Sequence, residues 1–276
     1  MQRIRSVCFV GGGRITRAII SGLRLRRGSR DARGLEMEIT VCDRHARKLL
    51  DFRRNLGVRT TESLVEALGS DLMVLAVRPQ SVNQVLKILR QEPPRKIAAL
   101  SLCAGISLQQ LKSRLGTPVR WARAMPSPAG SSGNGFTALC YGANFPANAK
   151  NAIYEMFSAI GEVANMTERE MDAFTVTFSP THGQHALAAL ARAGEKLGLS
   201  RELAQLAAAH ALADSISHWR ARGAPPLAEL LAEAQTPGGI AAETIRALDR
   251  AKYSKSVESA LHAGMKRLKK NAAIGD

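Results

Sequence analysis

Three consecutive glycines stand where an apolar run gives way to a helical pattern, and this arrangement constrains the fold more than any other feature. Residues 4–10 are typical of a buried strand, and residues 15–25 have the periodicity of an amphipathic helix. In such a turn Gly11 permits the sharp change of direction and Gly13 lets backbone amides approach a pyrophosphate, whose charge the helix N-terminus stabilises. Thr16 stands at the third position of this fingerprint, where Gly or Ala is usual. Taken alone, the motif also fits an ordinary strand-to-helix turn.

The second predicted strand strengthens the case for a dinucleotide site. Asp43 follows the predicted strand Glu38–Cys42 and lies 30 positions after Gly13. An acid at this place can accept a hydrogen bond from the ribose 2′-hydroxyl of NAD(H), whereas an arginine such as Arg44 suits the 2′-phosphate of NADP(H). The sequence leaves the choice between these two coenzymes open. The expected coenzyme contacts in this part of the chain are Gly11, Gly13, Arg14, Ile15, Thr16, Asp43 and Arg44.

The first part of the chain alternates strands with helices, which indicates a parallel sheet covered on both faces. Further strands are predicted at residues 72–77, 97–102, 119–124, 136–141 and 161–166, and helices at 44–56, 82–89 and 108–115. Residues 125–135 are rich in Pro, Gly and Ser, which predicts a long loop without regular structure. We therefore predict an α/β Rossmann-like domain with a parallel-rich sheet at residues 1–165. Loops at the carboxyl edge of such a sheet line the coenzyme cleft, so the expected contacts include Ala76, Val77, Arg78, Pro79, Ala104 and Met125.

The pattern changes after Thr167. Thr167 and Glu170 form a capping-box sequence, in which the hydroxyl accepts from a free amide and the glutamate reaches back. Helical segments follow at residues 168–197, 201–222, 226–234, 240–251 and 254–269, several of them rich in alanine. Residues 166–276 are predicted to form an all-α domain. Its apolar stripes are wider than one small bundle needs, so we expect a homodimer or a higher homo-oligomer.

Charge and cysteine content exclude several classes of protein. The formal net charge is +16, and residues 1–60 hold fifteen Lys and Arg against five acidic residues. Since aromatic residues make up only 4%, side chains that stack on bases are scarce and no specific nucleic-acid function is expected. No apolar run approaches the roughly 18 residues of a membrane span. The four cysteines lie singly in apolar runs, which favours buried thiols in a reducing cytoplasm and no metal site.

Several sequence blocks together resemble the pyrroline-5-carboxylate reductase family. Besides the glycine turn they are Leu75-Ala-Val-Arg-Pro-Gln80, Ala104-Gly-Ile-Ser107, Arg123-Ala-Met-Pro126, Met171-Asp-Ala-Phe-Thr175 and Thr236-Pro-Gly-Gly239. The resemblance covers nearly the whole chain. It implies a Rossmann domain, a helical dimerisation domain and an active site shared between subunits. The implied reaction is the reduction of a cyclic imine carboxylate, pyrroline-5-carboxylate above all, by NADPH or NADH.

The resemblance also suggests which residues meet the substrate. Thr175, Thr236, Gly238 and Gly239 are the implied substrate contacts, and Thr236 is also a candidate catalytic residue. The family threonine often assigned as proton donor corresponds to Ala241, which cannot donate. His182 lies in a turn that departs from the family sequence, and it is a candidate replacement for the proton donor because imidazole titrates near neutral pH. Surface or interface positions for His182 and His185 are the alternative.

These departures leave two functions open. The first is an active cyclic-imine reductase. The second is a catalytically altered or inactive paralogue that binds the dinucleotide and acts on another substrate or as a sensor. The sequence alone does not decide between them, nor does it identify the exact imine.

Overall fold

A computed structural model of the chain describes residues 3–27, 37–92, 96–115 and 119–273. The chain divides into two compact units. Unit 1 is Met1–Thr177 with Gly264–Asp276, and unit 2 is Phe178–Ala263. The sequence-predicted boundary between residues 165 and 166 stays a prediction about domain organisation.

Unit 1 is built on an eight-stranded sheet in the order β3-β2-β1-β4-β5-β6-β7-β8. The strands are β1 Ser6–Val10, β2 Glu38–Cys42, β3 Arg59–Thr61, β4 Leu72–Leu75, β5 Ala98–Ser101, β6 Arg120–Pro126, β7 Gly135–Tyr141 and β8 Gly161–Asn165. Strands β1 to β6 are parallel, β7 is antiparallel to β6, and β8 is parallel to β7. The chain order reverses between β1 and β4, so a ligand cleft is expected at their carboxyl ends.

Helices cover both faces of this sheet. They are α1 Arg14–Arg27, α2 Ala46–Leu56, α3 Val65–Leu68, α4 Pro79–Leu89, α5 Leu108–Leu115, α6 Ala147–Ser158 and α7 Glu168–Thr177. Because side chains alternate along a strand, Phe9 packs in one apolar cluster and its neighbours Cys8 and Val10 pack in the other. The prediction of a Rossmann-like, mostly parallel sheet is confirmed.

Two local predictions were wrong, and two short elements were missed. Strand β6 continues to Pro126 and a 3₁₀ helix spans Pro128–Ser132, so residues 125–135 contain regular structure. Strand β3 and helix α3 were not predicted, because they are only 3 and 4 residues long. The predicted helix 168–197 is two helices. Pro180 begins the second one, and the Ser179 hydroxyl caps it by accepting from the Thr181 N–H.

One of the two hydrogen bonds of the predicted capping box is present. The Glu170 carboxylate reaches back to the Thr167 N–H at 2.8 Å, as expected. The Thr167 hydroxyl donates to the same carboxylate, also at 2.8 Å, rather than forming the predicted bond with an amide. These bonds lower the pKa of Glu170.

Unit 2 is helical, with α8 Pro180–Lys196, α9 Arg201–Ala221, α10 Leu227–Glu233, α11 Ile240–Arg250 and most of α12 Tyr253–Ala273. Helices α8 and α9 pack through small residues, and Ala191, Ala204 and Ala208 are buried between them. Their large apolar residues face outward: Leu187, Leu190, Leu203, Leu206 and Ile216 are all exposed. Within the described ranges, no helix is long and apolar enough to cross a membrane.

Candidate active site

The glycine turn joins β1 to α1 at the carboxyl edge of the sheet. Gly11 has φ +113°, and a Cβ at this position would lie 2.6 Å from the carbonyl oxygen of Ala76. The backbone after β4 is held there because the Ala76 N–H donates to the Val10 carbonyl at 2.8 Å. Only glycine satisfies both the backbone angle and the close approach. The loop containing Ala76 therefore forms one wall of the turn.

The next three residues supply amides for a bound anion. The first helical hydrogen bond of α1 runs from Arg17 N–H to the Gly13 carbonyl at 3.1 Å, so the N–H groups of residues 14–16 precede the helical ladder. A Cβ at Gly13 would meet no atom closer than 4.0 Å, which leaves open space beside these amides. The turn thus has the form that a pyrophosphate requires.

Thr16 supports the turn through its side chain. The residue is fully buried, and its hydroxyl donates to the Gly11 carbonyl at 2.6 Å. Any contact of Thr16 with a coenzyme is therefore left to its backbone N–H. The hydroxyl explains why this chain tolerates a threonine at a position that usually holds Gly or Ala.

Asp43 is bonded inside the protein. Its Oδ2 accepts from the Gly12 N–H at 2.9 Å and from the Lys48 ammonium at 3.2 Å. Its Oδ1 accepts from the backbone N–H of His45 at 3.0 Å and lies 2.7 Å from the His45 ring nitrogen Nδ1. Burial opposes ionisation, but the hydrogen bonds from His45, Gly12 and Lys48 outweigh it and lower the pKa of the Asp43 carboxyl.

This arrangement argues against the predicted ribose contact of Asp43. The side chain is only 9% exposed, and both oxygens already accept hydrogen bonds from the protein. Arg44, in contrast, is exposed immediately beside it, as is Arg47 in the first turn of α2. The surface next to the glycine turn is therefore cationic.

The other predicted coenzyme residues occupy loops at the same sheet edge. Val77 and Arg78 follow β4, and Pro79 begins α4, where its fixed φ suits the first helical position. Ala104 follows β5, and Met125 lies near the end of β6; both are partly exposed. The structure thus brings all of these residues to the carboxyl ends of the central strands. Their individual roles stay predictions.

Cys103 joins two of these loops, which the sequence did not reveal. Its thiol lies 3.3 Å from the Val77 carbonyl and 3.6 Å from the Leu75 carbonyl. Burial raises the pKa of Cys103 to about 12, so the thiol is a neutral donor at physiological pH. It holds the loop after β5 against the loop after β4.

A buried arginine fixes the next strand. The Arg123 side chain is 3% exposed and donates to Glu168 Oε1 at 2.8 Å and to Asp172 Oδ1 at 3.0 Å. Glu168 also accepts from the Leu108 N–H at 3.0 Å and from the Cys140 thiol at 3.3 Å. One carboxylate therefore connects β6, β7, α5 and α7. The motif containing Arg123 was visible in the sequence, but its partners were not.

The predicted substrate residues differ in what their polar groups do. Thr175 lies on α7 in unit 1, and its hydroxyl donates to the Met171 carbonyl of the same helix at 2.6 Å. In unit 2, Thr236 is exposed and its carbonyl accepts the Gly239 N–H at 2.9 Å. Gly239 is the N-cap of α11, and Gly238 precedes it in the turn. The free amides at this place are therefore those of the first turn of α11, residues 240–242.

His182 has a partner that the sequence did not reveal. It is exposed in the first turn of α8, and its Nε2 lies 3.3 Å from the hydroxyl of Tyr253 at the start of α12. His185 is also exposed. Across the described part of the chain, no three His, Cys, Asp or Glu side chains form a cluster that could hold a metal ion.

Comparison with known proteins gives matches along the whole chain. Residues 168–271 match the family described as pyrroline-5-carboxylate reductase dimerisation, and residues 6–101 match the family described as NADP oxidoreductase, coenzyme F420-dependent. The pyrroline-5-carboxylate reductase of Mycobacterium leprae is 32% identical over 288 residues, with 95% of each chain covered. That of Pseudomonas aeruginosa is 27% identical, covering 95% of this chain and 94% of the relative.

Solved structures give the same picture. A pyrroline-5-carboxylate reductase structure from Coxiella burnetii is 26% identical with a TM-score of 0.81, and 98% of this chain and 99% of that chain are covered. A pyrroline carboxylate reductase from Plasmodium falciparum with NADP bound has a TM-score of 0.83 at 22% identity, with 99% of both chains covered. At this identity the second likeness supports the fold.

Proposed function

The chain belongs to the pyrroline-5-carboxylate reductase family, and from that premise we propose that it reduces pyrroline-5-carboxylate to proline with a nicotinamide coenzyme. The observation that carries the proposal is the glycine turn, where Gly11 meets Ala76 and the first amides of α1 border open space. This feature lies in a chain that is similar to such reductases from end to end. No observation favours the alternative of an inactive paralogue.

The residues of unit 1 fit a dinucleotide. The amides of residues 14–16 would hold the pyrophosphate, and the loops containing Ala76–Pro79, Ala104 and Met125 would line the rest of the coenzyme. When bound, the coenzyme supplies the hydride that is added to the imine carbon, and the imine nitrogen gains a proton. The protein's task is to bind, to orient and to exclude water.

We assign the coenzyme as NADP(H) rather than NAD(H). An NAD-specific site needs a carboxylate free to accept from the ribose 2′-hydroxyl, and the Asp43 oxygens are engaged by Gly12, His45 and Lys48. A 2′-phosphate needs cations, which exposed Arg44 and Arg47 provide. The expected result is a kcat/KM at least about tenfold higher with NADPH than with NADH.

On the substrate side, we assign the imine carboxylate to the turn before α11. The first amides of that helix and its positive dipole end suit a carboxylate, and the exposed Thr236 hydroxyl can add a hydrogen bond. The Gly239 N–H is already used within the turn. Gly238 and Gly239 therefore shape the turn, and residues 240–242 supply the donors.

We also propose a cytoplasmic homo-oligomer. The exposed leucines of α8 and α9 are the apolar surface that a partner subunit would cover, and residues 168–271 match a dimerisation family. All four cysteines are free and buried, and burial raises the pKa of Cys8 to about 12 and of Cys42 to about 11, as befits unreactive thiols. Light scattering coupled to size exclusion is expected to give a dimer or a multiple of it.

The test of the function is oxidation of NADPH in the presence of pyrroline-5-carboxylate, with proline identified by mass spectrometry. A six-membered cyclic imine carboxylate serves as a comparison substrate. We expect proline to form in equal amount to the NADPH consumed. Binding of NADPH without turnover of either imine would overturn the proposed reaction but would still support the proposed coenzyme site.

A further inference from the structure

The last turns of α12 return to unit 1 and cover the segment between β5 and α5. We call residues 102–107 the β5–α5 segment; it contains Ala104 and leads to Ser107. Residues from Gly264 onward belong to the unit that holds the sheet rather than to the unit of the other C-terminal helices. The chain therefore places its C-terminal helix end against a loop that lies more than 150 residues earlier in the sequence.

Leu268 lies against Gly105 of this segment. It is 6% exposed, whereas its neighbours Arg267 and Lys269 are exposed. Gly105 has φ +79°, and a Cβ on it would lie 2.6 Å from the Leu268 carbonyl oxygen and 3.1 Å from the Leu268 side chain. The shape of the β5–α5 segment at Gly105 is thus fitted to the backbone of α12.

Gln110 makes a second, polar connection. Its side-chain oxygen accepts from the Ser107 N–H at 3.0 Å, and its side-chain nitrogen donates to the Ala272 carbonyl at 3.3 Å. The last four carbonyls of a helix have no partner within that helix, so Gln110 satisfies one of them. One side chain therefore ties the end of the β5–α5 segment to the end of α12.

We propose that Leu268 and Gln110 are positioning residues for the coenzyme, which act by fixing the β5–α5 segment in its binding shape. This inference rests on the proposed function, because Ala104 of that segment lies at the sheet edge assigned to the coenzyme. The segment is held near its start, where the Cys103 thiol bonds to the loop after β4, and just beyond its end, where Glu168 accepts the Leu108 N–H. Leu268 and Gln110 add the contacts from α12.

The physical effect is preorganisation. When the loop is already ordered before the coenzyme binds, no binding free energy is lost in ordering the loop. Leu268→Ala removes the side chain that lies beside Gly105, and Gln110→Ala removes the acceptor of the Ser107 N–H, so the segment is held less firmly and part of the binding free energy must then order it. The coenzyme dissociation constant rises, whereas a residue with a purely structural role changes only the fraction of folded protein.

The experiment measures the dissociation constant of NADPH by its fluorescence on the full-length protein, together with KM, kcat and the melting temperature. The variants are Leu268→Ala and Gln110→Ala, with Leu268→Met as the conservative replacement. Lys269→Ala, on the exposed face of the same helix turn, is the matched control. We expect the first two variants to raise the dissociation constant and the KM for NADPH about five- to twentyfold, and Leu268→Met and Lys269→Ala to leave both near the wild-type values.

Two outcomes distinguish a failure of the positioning role from a failure of the proposed function. If wild-type protein binds NADPH and both alanine variants bind it equally well, while their melting temperatures fall, Leu268 and Gln110 are structural only and the inference is overturned. If the wild-type protein itself does not bind NADPH, the proposed function fails and the inference fails with it. Gln110 is only partly buried, so its variant keeps the test valid should Leu268→Ala not fold.

Discussion

The Asp43 carboxylate accepts the backbone N–H of Gly12 at 2.9 Å, across the two loops that follow neighbouring strands β1 and β2. A Cβ on Gly12 would lie 3.3 Å from the same carboxylate oxygen, so the turn and the acid are closely packed. Asp43, which the sequence predicts as a ribose ligand, thus stabilises the glycine turn. The exposed side chains beside it, Arg44 and Arg47, are cationic, which supports the proposed preference for NADP(H).

Replacing Asp43 with Asn is expected to destabilise the folded protein by about 1 to 3 kcal/mol at pH 7, because hydrogen bonds to a charged acceptor are lost. The folded-state pKa of Asp43 is lowered, so its contribution is present above the ordinary aspartate pKa of about 3.9 and is lost as the pH falls further, through the folded-state value. Urea unfolding at several pH values measures this. The difference between wild type and Asp43→Asn should shrink on acidification; a difference constant with pH contradicts the assignment.

Gly13 offers a matched pair of variants. A Cβ here meets nothing closer than 4.0 Å, so Gly13→Ala is expected to fold normally. Gly13→Asp places a carboxylate beside the amides assigned to the pyrophosphate and should weaken NADPH binding by at least about a hundredfold. Calorimetric titration of both variants with NADPH checks this. Tight binding by Gly13→Asp would mean that the pyrophosphate lies elsewhere.

Arg44 is expected to select the coenzyme. Arg44→Ala should lower kcat/KM for NADPH about tenfold or more and leave that for NADH nearly unchanged, since only NADPH carries the 2′-phosphate. Arg54→Ala, exposed at the other end of α2, removes an equal charge away from the turn and serves as the control. Steady-state rates with both coenzymes give the ratio. An equal loss with NADH would assign Arg44 to a group that both coenzymes share.

Arg123 is expected to stabilise the folded state of unit 1. Arg123→Met leaves Glu168 and Asp172 without their shared cation, and we expect the free energy of unfolding to fall by about 2 to 4 kcal/mol. The loss is smaller than for a fully buried pair because both carboxylates remain partly solvated. Chemical unfolding measures it. Arg120→Ala, exposed on the same strand, should cost less than about 0.5 kcal/mol. A loss for Arg123→Met as small as that for Arg120→Ala would show that the ion pairs contribute little.

The sequence predicts the parts of this fold that depend on local pattern. Strand β2 and the helices around it follow from apolar periodicity, and α2 ends at Leu56 as predicted. The break before Pro180 had a local signal too, because the residue before a proline avoids the helical region. The contacts that define the site instead join residues that are far apart in the sequence. Arg123 and Glu168 are 45 positions apart and Gln110 and Ala272 are 162 apart, and no local pattern encodes such pairs.

The proton source is the part of the reaction that the family resemblance leaves open, since Ala241 has no group to donate. His182 is the residue predicted for this role, and the structure adds that its Nε2 lies 3.3 Å from the Tyr253 hydroxyl. The two side chains join the first turns of α8 and α12 within unit 2. A tyrosine hydroxyl in this position can orient the imidazole and so fix which nitrogen carries the proton.

If His182 donates the proton, His182→Asn should lower kcat at least about tenfold and leave the KM for NADPH unchanged, because general acids contribute to the chemical step. Tyr253→Phe should show a smaller loss of kcat, again with the KM for NADPH unchanged, because the imidazole is then present but less well oriented. His185→Asn, a neighbouring exposed histidine on the same helix, is the control and should match the wild type. A kcat for His182→Asn equal to that of the wild type would remove His182 from the reaction and direct the search to Thr236.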